Sequence, residues 1–409
     1  ADIMELGILI VNILLTAIMF AIFGVWIYLL TYLIKSYERS PRLKCSDKPV
    51  LLKFPKVSVI LPARNEETYI ARCLDSLLNQ DYPNFEIVAI NDSSCDDTGD
   101  IILRYSRKYD KIIAVDPGPK PDGWVGKSWA CYQGYRKATG DLLLFTDADT
   151  QHSSSLMTLA VGNLLEQNLD AITAVPRLLC IETWTKITLP MLSTFLHTRF
   201  SALRVNDPKT KIGYFFGSFF VISRTAYEKV GTHEGVKQEL VEDGALGGKV
   251  KDAKFRLKMV RGEENLTAIW ARDLNSLWQG LRRLMIPLYT QHKTKTTLMI
   301  IAVFFMLFEP FIILPYSSLV LYLPDYRNLM SYILVFVNIL TILLIILSNI
   351  VHSKLSLHQS PIYALASPIA AGIISLSFIS SILDAKKTGA VIWRDRQYTI
   401  TEHQQHPLS

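Results

Sequence analysis

The chain is 409 residues long, 50% hydrophobic and 20% charged, which exceeds one ordinary domain and points to a globular domain with additional segments. Its net charge of +6 is modest and lies partly beside apolar runs; without a recognition motif it excludes a nucleic-acid partner and fits attraction to anionic lipid headgroups. The cysteines (Cys45, Cys73, Cys95, Cys131 and Cys180), odd in number and without a C-x-x-C, exclude a disulfide framework and a zinc site and read as reduced thiols.

No charged residue occurs from Leu6 to Ile34, about 29 residues and enough to cross ~30 Å of hydrocarbon with tilt. A cleaved signal peptide competes with this reading, but the preceding ADIME is acidic, the run is too long and no small-residue cleavage site follows. Residues 1–35 are therefore expected to be a transmembrane anchor. The basic KSYERSPRLK after it places that end in the cytoplasm, within a linker over 36–55.

Strands and helices then alternate. VSVILPARN is β-branched and stops at Pro62; EETYIARCLDSLLNQ follows with Ile70, Cys73, Leu74, Leu77 and Leu78 at helical spacing. Next come strand FEIVAINDSS, a helix from Asp97 to Tyr109, strand KIIAVDPG, a helix from Ser128 to Ala138 and strand DLLLFTDAD. The alternation implies βαβ units and a mostly parallel sheet buried on both faces, with ligands outside the carboxyl ends of its strands. Polar residues gather at those ends: Arg64, Asn65 and Glu66; Asn91, Asp92 and Ser93; Asp147 and Asp149. No G-x-G-x-x-G opens a helix and no G-x-x-x-x-G-K-[ST] is present, so dinucleotide and P-loop readings lack support.

Further along, Thr185–Val205 is apolar with scattered cations, either an amphipathic helix in the headgroup layer or a buried helix. His233 reads as a loop histidine. Leu298–Leu323, Ser331–Ile350 and Pro361–Leu383 are each long enough to span a bilayer. Glu309 with Pro310 interrupts the first and Pro368 with Gly372 the third, so either can be broken or re-entrant; Glu309 is also a functional candidate as an acid within a span. Four full spans would put DAKKTGAVIWRDRQY on the far side, against the positive-inside tendency.

In TDAD, Asp147 and Asp149 share one face of an extended backbone, because side chains at i and i+2 point together. Two carboxylates so placed can hold Mg²⁺ or Mn²⁺, which share oxygen ligands with substrate phosphates. A solvated turn is the alternative. The four apolar residues before it, and the acids at other strand ends, favour the cation.

Together VSVILPARNEE, AINDSSCDDT, GWVGKSWACYQGYRKATGDLLLFTDAD and VEDGALGGKV resemble the family-2 glycosyltransferases of the GT-A fold, over Lys56 to Arg283. The chain is most similar to ceramide-glucosyltransferase-like and hopanoid- or carotenoid-glycosylating members, whose tails carry a W-x-x-R-x-Y-like stretch, here WRDRQY from Trp393 to Tyr398. The resemblance implies that Pro62, Arg64, Asn65 and Glu66 line the base and ribose. It implies that Asp92 contacts the uracil or its ribose, that Asp96 supports the loop, and that Gly126 and Lys127 continue the pocket. For Asp92 the alternative is an Asx-turn, and for Lys127 a solvated cation. Asp147 and Asp149 would contact the nucleotide sugar and the metal on its diphosphate.

An inverting transfer needs a base for the acceptor hydroxyl. The resemblance makes Asp243 of QELVEDGALGG that base, with Glu242 orienting or contacting acceptor; a helix N-cap is the alternative. The leaving diphosphate needs its charge stabilised, which the family does with a metal and a Q-x-x-R-W motif. LWQGLRRL supplies Gln279 and Arg282, but Arg283 stands where Trp is expected, which weakens a polysaccharide-synthase reading. A plain interfacial basic helix is the alternative there.

The expected organisation is a transmembrane anchor (1–35), a linker (36–55), an α/β GT-A catalytic domain with a Rossmann-like, mostly parallel sheet (56–283), an interfacial segment (284–297), C-terminal transmembrane segments (298–383) and a basic polar tail (384–409). The expected function is transfer of a hexose from a nucleotide sugar, with UDP the expected nucleotide, to a lipid hydroxyl. The expected place is a multi-pass membrane protein with its catalytic domain in the cytoplasm. Rival readings are a polyprenyl-phosphate glycosyltransferase, an extracellular-polysaccharide synthase, and a non-catalytic nucleotide-sugar-binding membrane protein.

Overall fold

A computed structural model describes residues 3–44, 51, 53–388, 390–393 and 396–399. The chain divides into two compact units. One holds the chain up to Glu38, Cys180–Arg199 and Ala271–Val391; the other holds Arg39–Leu179, Phe200–Trp270 and the described residues from Ile392 onward.

The chain opens on α1 (Ile3–Arg39), then β1 (Val57–Ala63), α2 (Ile70–Leu78), β2 (Phe85–Asn91), α3 (Thr98–Lys108) and β3 (Ile112–Val115). It continues through α4 (Gly126–Lys137), β4 (Leu142–Phe145), β5 (Thr150–His152), α5 (Leu156–Glu166), β6 (Ala171–Val175) and β7 (Arg177–Leu179). After α6 (Thr183–Phe200) and α7 (Ala202–Val205) come β8 (Phe220–Ser223), α8 (Arg224–Lys229), α9 (Glu242–Asp252), β9 (Leu257–Arg261) and β10 (Leu266–Ile269). The remainder is α10 (Leu274–Gln291), α11 (Lys293–Leu307), α12 (Glu309–Tyr322), α13 (Leu329–His352), α14 (Ser367–Thr388), β11 (Ala390–Trp393) and β12 (Arg396–Thr399).

In the α/β unit a seven-stranded sheet has the order β3-β2-β1-β4-β8-β6-β9, and its pairings are parallel except those of β8, which is antiparallel to β4 and β6. The expected mostly parallel α/β sheet is therefore present. Its strands are apolar on both faces, and successive side chains feed two separate cores. Val57, Val59 and Leu61 of β1 join one with Ile87, Ala89, Leu142 and Leu144. Ile60 joins the other with Val88, Ile90, Leu143 and Phe145. Helix α2 buries Ile70, Cys73, Leu74 and Leu77, the face set by its i, i+3, i+4, i+7 spacing.

The sheet order reverses direction at β1, which has β2 on one side and β4 on the other. Such a switch point leaves a crevice outside the carboxyl ends of the two diverging strands. The register puts Ala63 opposite Asn91, so Arg64 and Asp92 leave the sheet side by side; Ile60 pairs with Phe145, so TDAD emerges next to them. A second sheet, β5-β10-β7, follows directly on TDAD through β5.

One polar cluster inside this unit stabilises the strand starts. The Glu86 carboxylate accepts from Ser58 Oγ at 2.6 Å and from the Thr139 backbone N–H at 2.7 Å, and pairs with Lys56 Nζ at 2.7 Å. Burial alone would raise its pKa, but the hydrogen bonds from Lys56, Ser58 and Thr139 outweigh it and hold it down at about 2. Because the folded-state value is depressed from 4.5, this contribution is present above that pH and lost as pH falls towards 2. Glu86→Ala takes the acceptor from the Ser58 hydroxyl and the Thr139 N–H and is expected to lower unfolding free energy by about 1–3 kcal/mol, read by denaturant titration in detergent.

The first part of the expected linker also belongs to the sheet. Leu43 N–H donates to Arg261 O at 2.9 Å and Arg261 N–H to Pro41 O at 2.8 Å, extending the β9 edge. Residues 45–50 and 52, including Cys45, lie outside the described residues; the other cysteines are free.

Among the described residues three helices are long and apolar enough to cross a membrane: Ile3–Arg39, Leu329–Leu357 and Pro361–Lys387. The run from Leu298 is broken. Helices α11 and α12 meet at a bend of 50°. Pro310 explains it: without an N–H, proline cannot bond the carbonyl four residues back, and its ring crowds that carbonyl. That carbonyl, Met306 O, instead accepts from the Trp26 indole at 2.9 Å, and Asn338 Nδ2 donates to Pro310 O at 2.8 Å. Pro368 breaks nothing, because it sits in the first turn of α14, where a helix leaves N–H groups unused. Thr185, Ile187, Thr188, Leu189, Met191, Leu192 and Thr194 are all buried. Those positions encircle α6, so the segment packs as a buried helix.

Candidate active site

The three strand ends build one cleft in the α/β unit. After β1, Arg64 Nη1 donates to the carbonyls of Asp92 and Ser93, each at 2.8 Å. Asn65 is left-handed (φ 54°), as is Ser93 (φ 53°); asparagine tolerates that conformation better than most residues. Its Oδ1 accepts from Cys95 N–H at 2.9 Å, while Glu66 N–H donates to Thr98 Oγ1 at 2.7 Å. Asp96 accepts from the backbone N–H groups of Thr98 and Glu67. The RNEE and NDSSCDD loops are thus laced into one rim. Pro62 and Glu66 are buried, and Arg64 and Asn65 half-buried.

Asp92 is buried, and its backbone N–H donates to Ala63 O. Its carboxylate makes no Asx-turn. Arg396 of β12 holds both oxygens, Nη1 to Oδ2 at 2.9 Å and Nη2 to Oδ1 at 3.0 Å.

Helix α4 begins two residues earlier than its sequence suggests, so Gly126 and Lys127 form its first turn. Lys127 is no solvated cation. Its Nζ lies 2.8 Å from Asp147 Oδ1 and 2.8 Å from Glu242 Oε1, joining TDAD to the first turn of α9. Burial alone would lower its pKa, but Asp147, Glu242 and Asp243 hold it well above its ordinary value. It therefore carries a charge that partly neutralises three acids.

Glu242 and Asp243 do not cap α9; Val241 is the N-cap residue, without a side-chain bond. Glu242 is buried, and Asp243 Oδ1 accepts from Gly244 N–H at 2.8 Å. Burial and then the Glu242 carboxylate push the Asp243 carboxyl up, to about 6, against the opposing pull of Lys127. Pro62, Lys127, Gly217, His233, Glu242 and Asp243 line one small pocket. A methyl group at Gly217 would overlap the Asp243 carboxylate and lie 3.0 Å from Lys127 Nζ, so any larger residue would displace Asp243.

A buried polar network underpins TDAD. Thr146 Oγ1 donates to Ser218 O at 2.8 Å and Thr150 Oγ1 to Asp147 O at 2.8 Å; both hydroxyls lie within 3.1 Å of His152 Nε2. Burial lowers the His152 pKa to about 3, so the ring is neutral. Among the described residues no group of three or more His, Cys, Asp or Glu side chains is arranged to hold a metal. The protein's own donors are then the half-buried carboxylates of Asp147 and Asp149. That pair fits Mg²⁺ or Mn²⁺, which take their remaining oxygens from phosphate and water.

Gln279 and Arg282 lie on α10 of the helical unit. Arg282 Nη2 pairs with Asp384 at 2.7 Å and Nη1 is 3.5 Å from Gln279 Oε1. Sequence reasoning missed Gly217, Thr146 and His152, and placed His233 in a loop. His233 is instead buried, with Nδ1 2.7 Å from Tyr227 Oη. YFFGSFFVISRTAYEKVG, which carries Gly217, resembles the family's strand and following helix beside the acceptor site, but nothing in that resemblance singles out the glycine. Within WRDRQY, Arg394 and Asp395 lie outside the described residues.

Residues 58–231 match the model of Glycosyl transferase family 2. The chain carries a family-2 glycosyltransferase domain. A probable glycosyltransferase of Bacillus subtilis is 28% identical over 275 residues, 64% of this chain. That alignment spans 63% of the Bacillus protein, less than two thirds of its length. A 4,4'-diaponeurosporenoate glycosyltransferase of Staphylococcus aureus is 24% identical over 90% of this chain and 94% of its own length. Among solved structures, a mannosyltransferase of Pyrobaculum calidifontis in complex with GDP-Man and Mn²⁺ superposes with a TM-score of 0.51. It is 16% identical, with 91% of this chain and 99% of that one covered. The fold is GT-A-like.

Proposed function

We propose that this chain is a membrane-bound, inverting glycosyltransferase that moves a hexose from a UDP-linked sugar to a lipid hydroxyl at the cytoplasmic face. The observation that carries the reading is Lys127, whose ammonium ties Asp147 of TDAD to Glu242 beside Asp243. Donor-binding acids and an acceptor-side base are thereby within one ammonium of each other. The lipid acceptor draws support from three membrane-length helices among the described residues and from the Staphylococcus relatives, named for diaponeurosporenoate. The neighbour in fold was solved with a nucleotide sugar and Mn²⁺.

In this reading Pro62, Arg64, Asn65, Glu66, Asp92, Gly126 and Lys127 bind the nucleotide, with Asp147 and Asp149 on the sugar and metal. Asp147 and Asp149 would hold Mg²⁺ or Mn²⁺, which supplies positive charge for the departing diphosphate. Asp243 takes the proton from the acceptor hydroxyl as that oxygen attacks the anomeric carbon. The carbon inverts and the nucleoside diphosphate leaves. Glu242 keeps Asp243 basic enough to accept a proton near neutrality, since a neighbouring negative charge raises a carboxyl pKa. The family's Q-x-x-R pattern is the support for giving Gln279 and Arg282 a role in stabilising the departing diphosphate.

Mass spectrometry of lipids from cells with and without the chain tests the function; a glycolipid that disappears with the protein supports it, and an unchanged lipid profile rejects it. The acid–base role has its own test. Asp243 must be ionised, so kcat/KM is expected to rise with pH through about 6 and then level. Glu242→Gln removes a raising charge and leaves Lys127 to act on Asp243, so this acid limb moves to lower pH. An unmoved limb assigns it to another group.

A further inference from the structure

The residues that resemblance assigned to the donor site come from strand ends between positions 62 and 149, yet the structure adds two from the far end of the chain. Arg396 binds both oxygens of Asp92, and Tyr398 Oη accepts from the Gly126 backbone N–H at 3.3 Å. That N–H is one of the four that the first turn of α4 leaves without an intrahelical partner. The fit is close: a methyl group at Gly126 would meet the Arg396 guanidinium and lie 2.9 Å from Asp92 Oδ2, so the pair would have to shift for any larger residue. Arg396 is half-buried, with its side chain 17% exposed and that of Asp92 7% exposed. Two sites placed on the nucleotide by motif, Asp92 and Gly126, are therefore both met by one two-residue stride of β12.

We propose that Arg396 and Tyr398 complete the nucleotide pocket, and that Asp92 with Arg396 forms a paired acceptor–donor edge that reads a nucleobase presenting an N–H beside a carbonyl. This rests on the reading of the cleft as a nucleotide-sugar site. A carboxylate has about four lone-pair positions and a guanidinium five N–H donors. The bidentate pair occupies two of each, and Tyr398 engages the guanidinium as well, which still leaves donors on Arg396 and lone pairs on Asp92 at the margin of the pair. Uracil N3–H beside O4, and guanine N1–H beside O6, match an acceptor next to a donor. Cytosine N3 and adenine N1 carry no hydrogen and meet the carboxylate with a lone pair. Arg396 also holds the Asp92 carboxylate by two contacts, so that the acceptor half of the edge is fixed in position. Tyr398 anchors the strand on α4, which sets the distance between the guanidinium and the base.

The test is calorimetric titration of the detergent-solubilised full chain with UDP, GDP, CDP and ADP, in Mn²⁺, for the native protein, Arg396→Ala and Arg396→Lys. Native protein is expected to bind UDP or GDP more tightly than CDP and ADP. Arg396→Ala should lose about tenfold to a hundredfold for the preferred base and little for CDP or ADP, collapsing the preference. Arg396→Lys keeps a cation on Asp92, and so the fold, but lacks the planar fork; it should also lose most of the preference. Equal weakening for all four nucleotides would overturn the base-reading role. So would unchanged affinities, or tighter binding in Arg396→Ala, which marks the strand as an obstruction. Native protein that binds none of the four removes the nucleotide-site reading itself, and the inference with it.

Discussion

Asp243→Asn is expected to lower kcat by about 10²–10⁴-fold, the usual contribution of general-base catalysis. The replacement keeps size and can still accept from Gly244 N–H, so the first turn of α9 should hold its shape. It removes basicity, which matters only while the acceptor hydroxyl is losing its proton. Donor affinity is then nearly unchanged, because the base acts on the acceptor. Turnover on a lipid alcohol and UDP affinity, measured on one preparation, separate this from a folding defect, which would reduce both. Near-normal turnover would place the base elsewhere. Activity retained only on a polyprenyl phosphate would have another meaning: that acceptor is already ionised and needs no base.

Chelation should weaken UDP binding by on the order of 10²-fold, and Asp149→Ala should reproduce most of that loss. The protein's own donor set is two carboxylates, so removing one leaves a divalent cation held by a single side chain and the diphosphate. Because metal and Asp149 act as one unit, EDTA added to Asp149→Ala should cost little more. Titration calorimetry with UDP, with and without EDTA, reads all of these. Affinity indifferent to chelation would mean that the cation these acids need is Lys127, whose ammonium already lies 2.8 Å from Asp147.

Much of the α/β unit was legible because its strands are short apolar runs that end in polar residues. Chain alternation gave the parallel sheet, and the acids after β1, β2 and β4 marked its carboxyl edge. The break at Pro310 was also local, since a missing N–H acts on the residue four before it. Motif spacing pointed to Asp147, Asp149, Glu242 and Asp243 but said nothing of their distances. Lys127 shows why: its role depends on Asp147 and Glu242, which are 20 and 115 residues away in the chain and within reach only after β4 and α9 have packed. Gly217 and His233 were hidden for a related reason, as a glycine or a histidine acquires meaning from what presses on it.

The same holds most strongly at Asp92. By itself the sequence determined that an acid follows β2 at the sheet edge, because apolar periodicity and strand ends are properties of neighbouring residues. Only the tertiary structure decided that this acid is paired, by Arg396 from 304 residues later. Contacts between distant segments depend on how the whole chain closes, and no local pattern of residue types encodes which charge will meet which.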